Sequence, residues 1–512
     1  MGQDLLLHHM SHTIILNRST WRETLSINLT ETNKDYAVFL PAISFIYADL
    51  LSKNAEEKWG DRIPKGLPKG LDSLKFLYDD KGMFNYKWGL YSAGHAKLDI
   101  EKSKVQEAFV QDRPRDKTII LGDSGGFQVA KGILKFDWDN FFTPGHKNDD
   151  IRMQILRWLE HTADWSMCLD IPSFSVSLGI GVNTVRDCMA YTAYNNEWFI
   201  NNRVPGATKF LNVIQGNDIP SADEWFDTMA PFSDKKIYGE KAFEGWAMGG
   251  EHMRWWKLIL YRMIKMRDGG HFDGKDWIHF LGTSALEPAV MLTAIKRELV
   301  KINPNIEVSF DSASAFVSVA RGLVYTVNEF DMMRKNPRFG FTMDKAKDNK
   351  KYAGNFDRKY ADIVPGEYET FVNNTPVMDC YMEGDICCRG EDFESKTSWD
   401  SLSYVLLMAH NVYQQIEAVQ EANKRTDAKD VKSIPENVLE FVDLTKEVFQ
   451  SEKPMELIEK NSGLLNKLSK AKFSGAPRTT TFDNLVEHTP ALVTKEKKVV
   501  KETASNFESL FE

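Results

Sequence analysis

The chain has 512 residues, of which 42% are hydrophobic and 27% charged, and its formal net charge is −9. This composition excludes a fibrous or wholly disordered protein and a strongly basic nucleic-acid coat protein, although it allows a local basic groove. No apolar run reaches the roughly 18 residues that a membrane span requires. The five cysteines are too few for a disulfide framework, and the N-terminus lacks the pattern of a signal peptide. We therefore expect a cytoplasmic protein.

The first fifth of the chain shows little regular patterning. Residues 1–35 are interpreted as an N-terminal capping segment that includes a pair of short strands. Residues 36–51, YAVFLPAISFIYADLL, predict a strand broken at Pro41 and then a helix. Residues 52–110 are polar and irregular, with several lysines and glycines, and no strand is assigned there.

The segment KTIILGDSGGFQ at 117–128 is the most distinctive of the chain. Its apolar, β-branched run at 118–121 has the composition of a buried strand, and Asp123, Gly125 and Gly126 follow. Such a strand holds a carboxylate at the edge of a sheet, and the missing Cβ atoms let a flat ligand approach the backbone. The alternative is an ordinary turn from strand to helix, with Asp123 as the N-cap residue.

From residue 117 onward, short apolar strands alternate with amphipathic helices. The helices are predicted at 150–163, 182–201, 252–267 and 286–300. This alternation predicts an α/β fold with a parallel sheet. Six or more such units without a return pattern favour a closed (β/α)8 TIM-type barrel over a doubly wound sheet. We expect the barrel to occupy residues 36–345.

Polar side chains follow several of the predicted strands at the point where each strand ends. In (β/α)8 barrels, catalytic groups lie at the C-terminal ends of different strands. Asp123, Asp170, Gln215 and Asp311 all hold this position, although each alone is better explained as an N-cap or turn residue. Together they predict a barrel mouth lined by three carboxylates, one amide and exposed backbone N–H groups.

Two further segments follow the predicted barrel. Residues 346–424 are interpreted as a basic loop and a small Cys/His subdomain, with the last barrel helix indicated by the apolar pattern at 399–419. The cations of the basic loop alternate with Tyr352, Phe356 and Tyr360, which suits either a phosphate backbone or a solvated surface. Residues 425–512 are interpreted as a C-terminal helical extension with a partly mobile tail.

The Cys/His subdomain contains a candidate zinc site. Cys380, Cys387, Cys388 and His410 supply three thiols and one imidazole, which is a ligand set suited to a structural zinc ion. The spacing is irregular, and the adjacent Cys387 and Cys388 cannot easily bind the same ion. Buried free cysteines are therefore the alternative.

Five motifs occur in a characteristic order: DSGGFQ at 123–128, VIQG at 213–216, AMGG at 247–250, FLG at 280–282 and FD at 310–311. This ordered set resembles the tRNA-guanine transglycosylase superfamily over roughly residues 36–420. The later cysteines and HNVY at 410–413 resemble the zinc motif of that superfamily.

The chain differs from the tRNA enzymes of this superfamily after Asp311. They carry Pro-Thr-Arg soon after the nucleophilic Asp, whereas this chain has SASAFVSVARG, and its cysteines are respaced. It looks most like the DNA 7-deazaguanine transglycosylases of phages and bacterial modification islands. The resemblance implies replacement of guanine in DNA by a free 7-deazaguanine base, in the host cytoplasm if the protein is phage-encoded.

Three alternatives remain beside this interpretation. One is a tRNA-guanine transglycosylase, because both branches bind the same base. Another is a non-catalytic nucleic-acid-binding subunit, which the presence of both Asp123 and Asp311 disfavours. The third is a glycosidase unrelated to nucleic acid, which DSGGFQ followed by VIQG disfavours. The sequence carries no signal for the oligomeric state.

The resemblance also implies a role for each candidate residue. Asp311 would attack C1′ of the deoxyribose and Asp123 would handle the proton of the outgoing and incoming bases. Phe127 and Leu281 would lie on the two faces of the base. Its polar edge would contact Ser124, Asp170, Gln215, Gly249 and Gly250. Zinc, bound by Cys380, Cys387 or Cys388, and His410, would be structural only.

Overall fold

The computed structural model describes residues 27–30, 34–93, 98–326, 328–341, 343–345, 357–359, 375–387 and 399–470. Most of the predicted N-terminal capping segment and of the basic loop lies outside the described residues, as does the chain after residue 470. Among the helices that are described, none has the length and apolar character needed to cross a membrane.

The strands form one large parallel sheet and several small pairs. In chain order they are β1 Ile27–Asn28, β2 Val38–Pro41, β3 Pro68–Leu71, β4 Phe84–Asn85, β5 Trp88–Ser92, β6 Ile119–Asp123, β7 Trp165–Met167, β8 Lys209–Ile214, β9 Gly245–Met248, β10 Trp277–Phe280, β11 Glu307–Ser312, β12 Leu323–Tyr325, β13 Glu329–Asp331, β14 Arg338–Gly340 and β15 Met343–Lys345. The pairs β12–β15 and β13–β14 are antiparallel, and β1 pairs with β4 in parallel.

The large sheet has eight strands in the order β2-β11-β10-β9-β8-β7-β6-β5, and every pairing in it is parallel. Its two outer strands approach each other through a parallel bridge between Ala42 and Leu90, and the N–H of Ile43 donates to the carbonyl of Leu90 at 2.9 Å. The sheet is therefore a nearly closed barrel of the TIM type, which confirms the predicted α/β barrel.

Helices connect the barrel strands and continue beyond them. They are α1 Phe45–Asp49, α2 Ala55–Trp59, α3 Ile100–Gln106, α4 Ala108–Gln111, α5 Gly126–Ala130, α6 Lys147–Thr162, α7 Val185–Asn202, α8 Ile219–Met229, α9 Lys235–Tyr238, α10 Trp256–Asp268, α11 Leu286–Leu299, α12 Ser314–Ala320, α13 Glu383–Ile386, α14 Ser401–Asp427, α15 Glu436–Gln450, α16 Pro454–Lys460 and α17 Ser462–Lys470. The predicted helices correspond to α6, α7, α10 and α11. Helix α10 begins later than predicted because Gly250–Met253 forms a 3-10 turn.

The barrel strand β5 lies in the segment for which no strand was predicted. Four of its five residues are buried, so it lacks the polar alternation of a half-exposed strand. Gly89 lowers its strand propensity further. The glycine has a packing reason, because a Cβ there would lie 3.0 Å from Ile120 Cδ1 and 3.1 Å from Ile43 Cδ1.

Three tryptophans fill the N-terminal end of the barrel, which we call the barrel floor. Trp88, Trp165 and Trp277 each begin a strand, and the ring of Trp277 lies 5.7 Å from that of Trp88 and 5.2 Å from that of Trp165. The ammonium groups of Lys87 and Lys209 lie 4.6 and 4.8 Å from the rings of Trp88 and Trp165. The floor is thus packed, and the opposite end of the barrel is left for a site.

The helices α14 to α17 pack against the outside of the barrel. Helix α14 contacts α11 and α12, as expected for the last barrel helix, while α15 packs on α11 and α17 on α10. Asp400 caps α14, and Arg62 holds the same carboxylate at 2.7 Å. A domain boundary was predicted after residue 424, and helix α14 continues to Asp427. The structure does not test the division into domains, which stays a prediction.

Candidate active site

A cavity of about 610 Å³ opens at the C-terminal ends of the barrel strands. Ligand pockets usually have volumes of roughly 300–1,000 Å³. The cavity is lined by nearly all of the predicted catalytic and base-binding residues, namely Asp123, Phe127, Asp170, Gln215, Gly249, Gly250, Leu281 and Asp311. These residues come from the ends of six neighbouring strands, β6 to β11, as the barrel topology requires.

Asp311 belongs to β11, and its side chain is 14% exposed. The backbone N–H of Gly282 donates to its Oδ1 at 2.7 Å, and His279 Nε2 lies 3.2 Å from the same oxygen. In the described part of the chain, Oδ2 has no hydrogen-bond partner. One oxygen is therefore held while the other is left to react, which suits a nucleophile.

His279 is a site residue that the sequence analysis missed. It is fully buried, and its Nδ1 lies 2.8 Å from Ser309 Oγ, which also accepts a hydrogen bond from Trp277 Nε1 at 2.7 Å. The sequence contained one indication, the alternation of side chains along a strand. His279 lies two residues after Trp277, and Asp311 lies two residues after Ser309, so each faces the same side of its strand as the earlier residue. A lone histidine inside an apolar strand gave no separate reason to select it.

Asp123 ends β6 and accepts a hydrogen bond from the N–H of Gly125 at 3.1 Å. Desolvation by the surrounding protein raises the pKa of Asp123 above its usual range. The bonds from Gly125 and Ser92 oppose this rise in pKa, and the charge of Asp311 adds to it. A carboxyl group whose pKa is raised can hold a proton and release it, as a general acid must.

Asp170 and Gln215 form a hydrogen-bonded pair. Gln215 Nε2 donates to Asp170 Oδ2, and its Oε1 accepts from the N–H of Ser173 at 3.0 Å, so the amide has a defined orientation. Desolvation raises the pKa of Asp170 to about 7, and the nearby charge of Asp123 adds to the rise. The protonation state of Asp170 therefore changes near neutral pH.

The glycines of the site are required by the protein's own packing. A Cβ on Gly126 would lie 2.7 Å from the carbonyl oxygen of Asp170 and 2.8 Å from its Oδ1. A Cβ on Gly249 would lie 3.1 Å from Gln215 Cγ, and one on Gly250 would lie 2.8 Å from the carbonyl oxygen of Gly216. Gly250 also has φ +58°, which disfavours other residues. These glycines bring neighbouring strand ends close together, in addition to any ligand they admit.

Comparison of the sequence with protein-family models and with curated proteins finds no match. The functional interpretation of the cavity therefore depends on the geometry and chemistry of its residues.

Ser124, Phe127 and Leu281 differ in how they relate to the cavity. Ser124 is fully buried, and its Oγ donates to the carbonyl of Cys168 at 3.0 Å, so it ties β6 to β7 and is not among the lining residues. Phe127 and Leu281 both line the cavity. The ring of Phe127 lies 6.1 Å from that of Phe174, and the two form an aromatic edge of the cavity.

The outer cavity also contains charged residues that the sequence analysis did not select. Arg254 donates to Glu251 at 2.5 Å, and both residues line the cavity. Lys131 also lines the cavity, with its ammonium group 5.9 Å from the Phe127 ring. Glu251 and Arg254 follow the AMGG motif directly, and this position was the available signal.

His410 does not have the geometry of a metal ligand in this structure. It is fully buried, its Nδ1 lies 2.9 Å from Thr375 Oγ1, and its Nε2 lies 2.9 Å from the carbonyl oxygen of Tyr325. No group of three or more metal-binding side chains occurs among the described residues, and Cys388 lies outside them. The zinc set of Cys380, Cys387, Cys388 and His410 stays a prediction, and no chemical step below depends on it.

Proposed function

We propose that this protein replaces guanine in DNA with a free 7-deazaguanine base, through a covalent bond between Asp311 and C1′ of the deoxyribose. One observation carries the proposal. Asp311, with Oδ1 held and Oδ2 without a partner among the described residues, shares a cavity with Asp123, whose pKa is raised. Exchange with retained configuration requires such a nucleophile and such an acid–base group.

The proposed reaction has two displacement steps at C1′. In the first, Asp311 Oδ2 bonds to C1′ as the bond from C1′ to N9 of guanine breaks, and the leaving base takes the electron pair and a proton from Asp123. In the second, the equivalent nitrogen of the incoming base bonds to C1′, its proton passes to Asp123, and the electron pair of the C1′–oxygen bond returns to Asp311. Asp123 acts first as acid and then as base.

Base recognition is assigned to the Asp170–Gln215 pair. An ionised Asp170 accepts hydrogen bonds from N1–H and the exocyclic amine, which only guanine-like bases present together. Gln215 and the backbone at Gly250 lie beside it and are assigned to the O6 side. Phe127 and Leu281 line the same cavity and supply apolar surface for the two faces of the ring.

The position of the site at a barrel mouth restricts how DNA reaches it. A base inside a duplex cannot enter a cavity of this kind, so the target nucleotide must leave the stack. The same base and the same cavity would serve a tRNA substrate, and the described site contains no contact that distinguishes deoxyribose from ribose. The choice of DNA rests on the resemblance of the sequence and is tested directly by experiment.

The test is a base-exchange assay with radiolabelled guanine and, separately, labelled 7-cyano-7-deazaguanine. Duplex DNA is supplied in one set of reactions and bulk tRNA in another. We expect label to enter DNA only, and Asp311→Ala to abolish incorporation. The matched control is Asp227→Ala, because Asp227 is an exposed aspartate on α8 that is not among the residues lining the cavity. Incorporation into tRNA alone would assign the protein to the RNA branch, and activity in Asp311→Ala would refute the nucleophile.

A further inference from the structure

The carboxylate of Asp311 receives two hydrogen bonds on one oxygen. The N–H of Gly282 donates to Oδ1 at 2.7 Å, and His279 Nε2 lies 3.2 Å from the same oxygen. The Gly282 donor belongs to the backbone and is retained whatever side chain is substituted nearby. The His279 contact comes from a side chain and depends on the position of one proton. A mutation can therefore remove it.

His279 reaches Asp311 from the neighbouring strand. Strands β10 and β11 pair in parallel, with His279 opposite Ser309. Because side chains alternate along a strand, Trp277 and His279 share one face of β10, and Ser309 and Asp311 share the same face of β11. This face is the barrel interior, because Trp277 packs against Trp88 and Trp165 of the non-adjacent strands β5 and β7 and Asp311 lines the cavity. The hydrogen bonds among the four side chains form a continuous chain from the barrel floor to the candidate nucleophile.

The hydrogen-bond chain determines where His279 carries its proton. The indole of Trp277 can only donate, so Ser309 Oγ accepts from it and retains one proton and one lone pair. If Ser309 donates to Nδ1, neutral His279 carries its proton on Nε2. If Ser309 accepts from Nδ1–H, then Nε2 must also be protonated to bond an ionised Asp311. Either way, Nε2–H donates to Asp311, and the tautomer with a bare Nε2 facing the carboxylate is disfavoured.

We propose that His279, held in place by Ser309 and Trp277, is a positioning residue that donates Nε2–H to Asp311, and that it acts mainly when the covalent bond to C1′ breaks. This inference rests on the proposed function. In the ester formed through Oδ2, Oδ1 is a carbonyl oxygen that carries little charge. As the incoming base displaces the ester, the electron pair returns to the carboxylate and charge reappears on Oδ1. A hydrogen bond to that growing charge is stronger than one to the ester carbonyl.

This placement predicts an asymmetric kinetic effect. Without the Nε2–H donor, the carboxylate is a poorer leaving group, so breakdown of the covalent intermediate slows. Formation is affected less, since a carboxylate with one donor fewer is at least as nucleophilic. A residue that merely supported the fold would slow both steps together or lower the amount of folded protein.

The first test is independent of activity. The full-length protein is labelled with ¹⁵N-histidine, and the His279 ring signals are identified by their loss in His279→Gln. We expect the proton on Nε2, and a change in its signal in Asp311→Asn, where the acceptor is neutral. A proton on Nδ1 alone, or an Nε2 signal indifferent to Asp311→Asn, would overturn the proposed chain.

The second test compares His279→Phe with His279→Gln. Phe removes the donor, whereas Gln presents an N–H donor on a side chain of similar reach. Using DNA carrying a labelled deoxyribose, we expect the covalent adduct of His279→Phe to persist about 10- to 100-fold longer than that of the wild type. The Gln variant should recover most of the difference, and the dissociation constant of the free base should be nearly unchanged in both.

The outcomes separate the inference from the proposed function. If the wild type forms adduct but His279→Phe releases it at the wild-type rate, or Gln is no better than Phe, the positioning role is refuted while Asp311 stands. If the wild type forms no adduct with DNA or tRNA, the proposed function fails. The NMR result then still decides whether His279 orients Asp311 through Nε2–H.

Discussion

At the scale of single residues, Asp170 is a cavity side chain whose protonation state changes with pH near neutrality. Its pKa of about 7 results first from desolvation and then from the charge of Asp123. A protonated Asp170 can accept fewer hydrogen bonds and cannot offer a charge to the N1–H and amine of a guanine-like base. Binding of the neutral base should therefore be coupled to loss of a proton from Asp170 at acidic pH.

We predict that the affinity for free guanine falls as the pH is lowered from 8 to 5.5. Below the pKa of about 7, the dissociation constant should rise about tenfold per pH unit, because the proton must leave before the carboxylate can bind. Isothermal titration calorimetry in buffers of different ionisation enthalpy would measure both the affinity and the proton released. An affinity that rises towards acidic pH would contradict this role of Asp170.

Thermal stability supplies the control for the same residue. A folded-state pKa raised above the unfolded value means that ionisation of Asp170 opposes folding. The contribution of Asp170 to the free energy of unfolding is fully present below about pH 4, where the carboxyl group is protonated. It is lost as the pH rises through about 7. Asp170→Asn, which retains an acceptor for Gln215, should therefore raise Tm at pH 8 and leave it nearly unchanged at pH 4. Its weak binding of guanine should not depend on pH.

At the scale of elements, the junction between β6 and α5 is packed against the chain that follows β7. Gly125, with φ +85°, makes the turn, and Gly126 begins α5 with the backbone of Asp170 beside it. The two acids of the cavity, Asp123 and Asp170, are thus held close by a contact that only glycine permits. Their mutual effect on pKa follows from this contact.

Gly126→Ala should displace Asp170, because the added Cβ would lie 2.7 and 2.8 Å from two of its oxygens. We expect a loss of about 1–3 kcal/mol in unfolding free energy, the usual cost of overpacking, and a greater loss of guanine binding. Urea denaturation and calorimetry would measure the two effects. The control is Gly463→Ala in α17, where a Cβ meets nothing within 4 Å and stability should hold or rise. Equal behaviour of the two variants would contradict this account.

The sequence predicted most barrel strands because each combines an apolar run with a polar or glycine-rich end. It failed at β5, whose residues lack alternation and include Gly89. The cavity acids were predictable from their positions at strand ends. The contact between His279 and Asp311 was not, since it depends on the register of β10 against β11, which no local pattern specifies. Ser124 differs in the opposite way. Its position in DSGGFQ suggested a contact with the ligand, but its buried hydroxyl bonds the carbonyl of Cys168 instead.

At the scale of the whole molecule, the helices after α14 share the barrel's hydrophobic core. Phe441 of α15 is fully buried, and its ring lies 5.0 Å from that of Trp256 in α10. Trp256 also lines the cavity, and its backbone N–H donates to Ser469 Oγ of α17 at 3.0 Å. The C-terminal helices therefore support one wall of the site from behind, and we expect them to unfold with the barrel.

Phe441→Ala should cost about 3–5 kcal/mol, as is usual for removal of a buried aromatic ring. Thermal unfolding would be followed by far-UV circular dichroism and by tryptophan fluorescence. We expect one transition in both signals, shifted to lower temperature together. Val431→Ala, at a side chain that is 67% exposed, should leave both unchanged. Two separate transitions, of which only one shifts, would show that the C-terminal helices fold independently.

The barrel floor and the candidate nucleophile have one residue in common. Trp277 packs against two other tryptophans and also donates to Ser309, which bonds His279. In a redesign of the floor for thermal stability, Trp277 would be treated as a core packing residue and replaced by another apolar side chain. Loss of the indole donor would disturb the hydrogen bonds of Ser309 and His279, so the loss of activity would originate at the opposite end of the barrel from the change. Library screens on this scaffold should therefore hold Trp277 constant and vary its two neighbours.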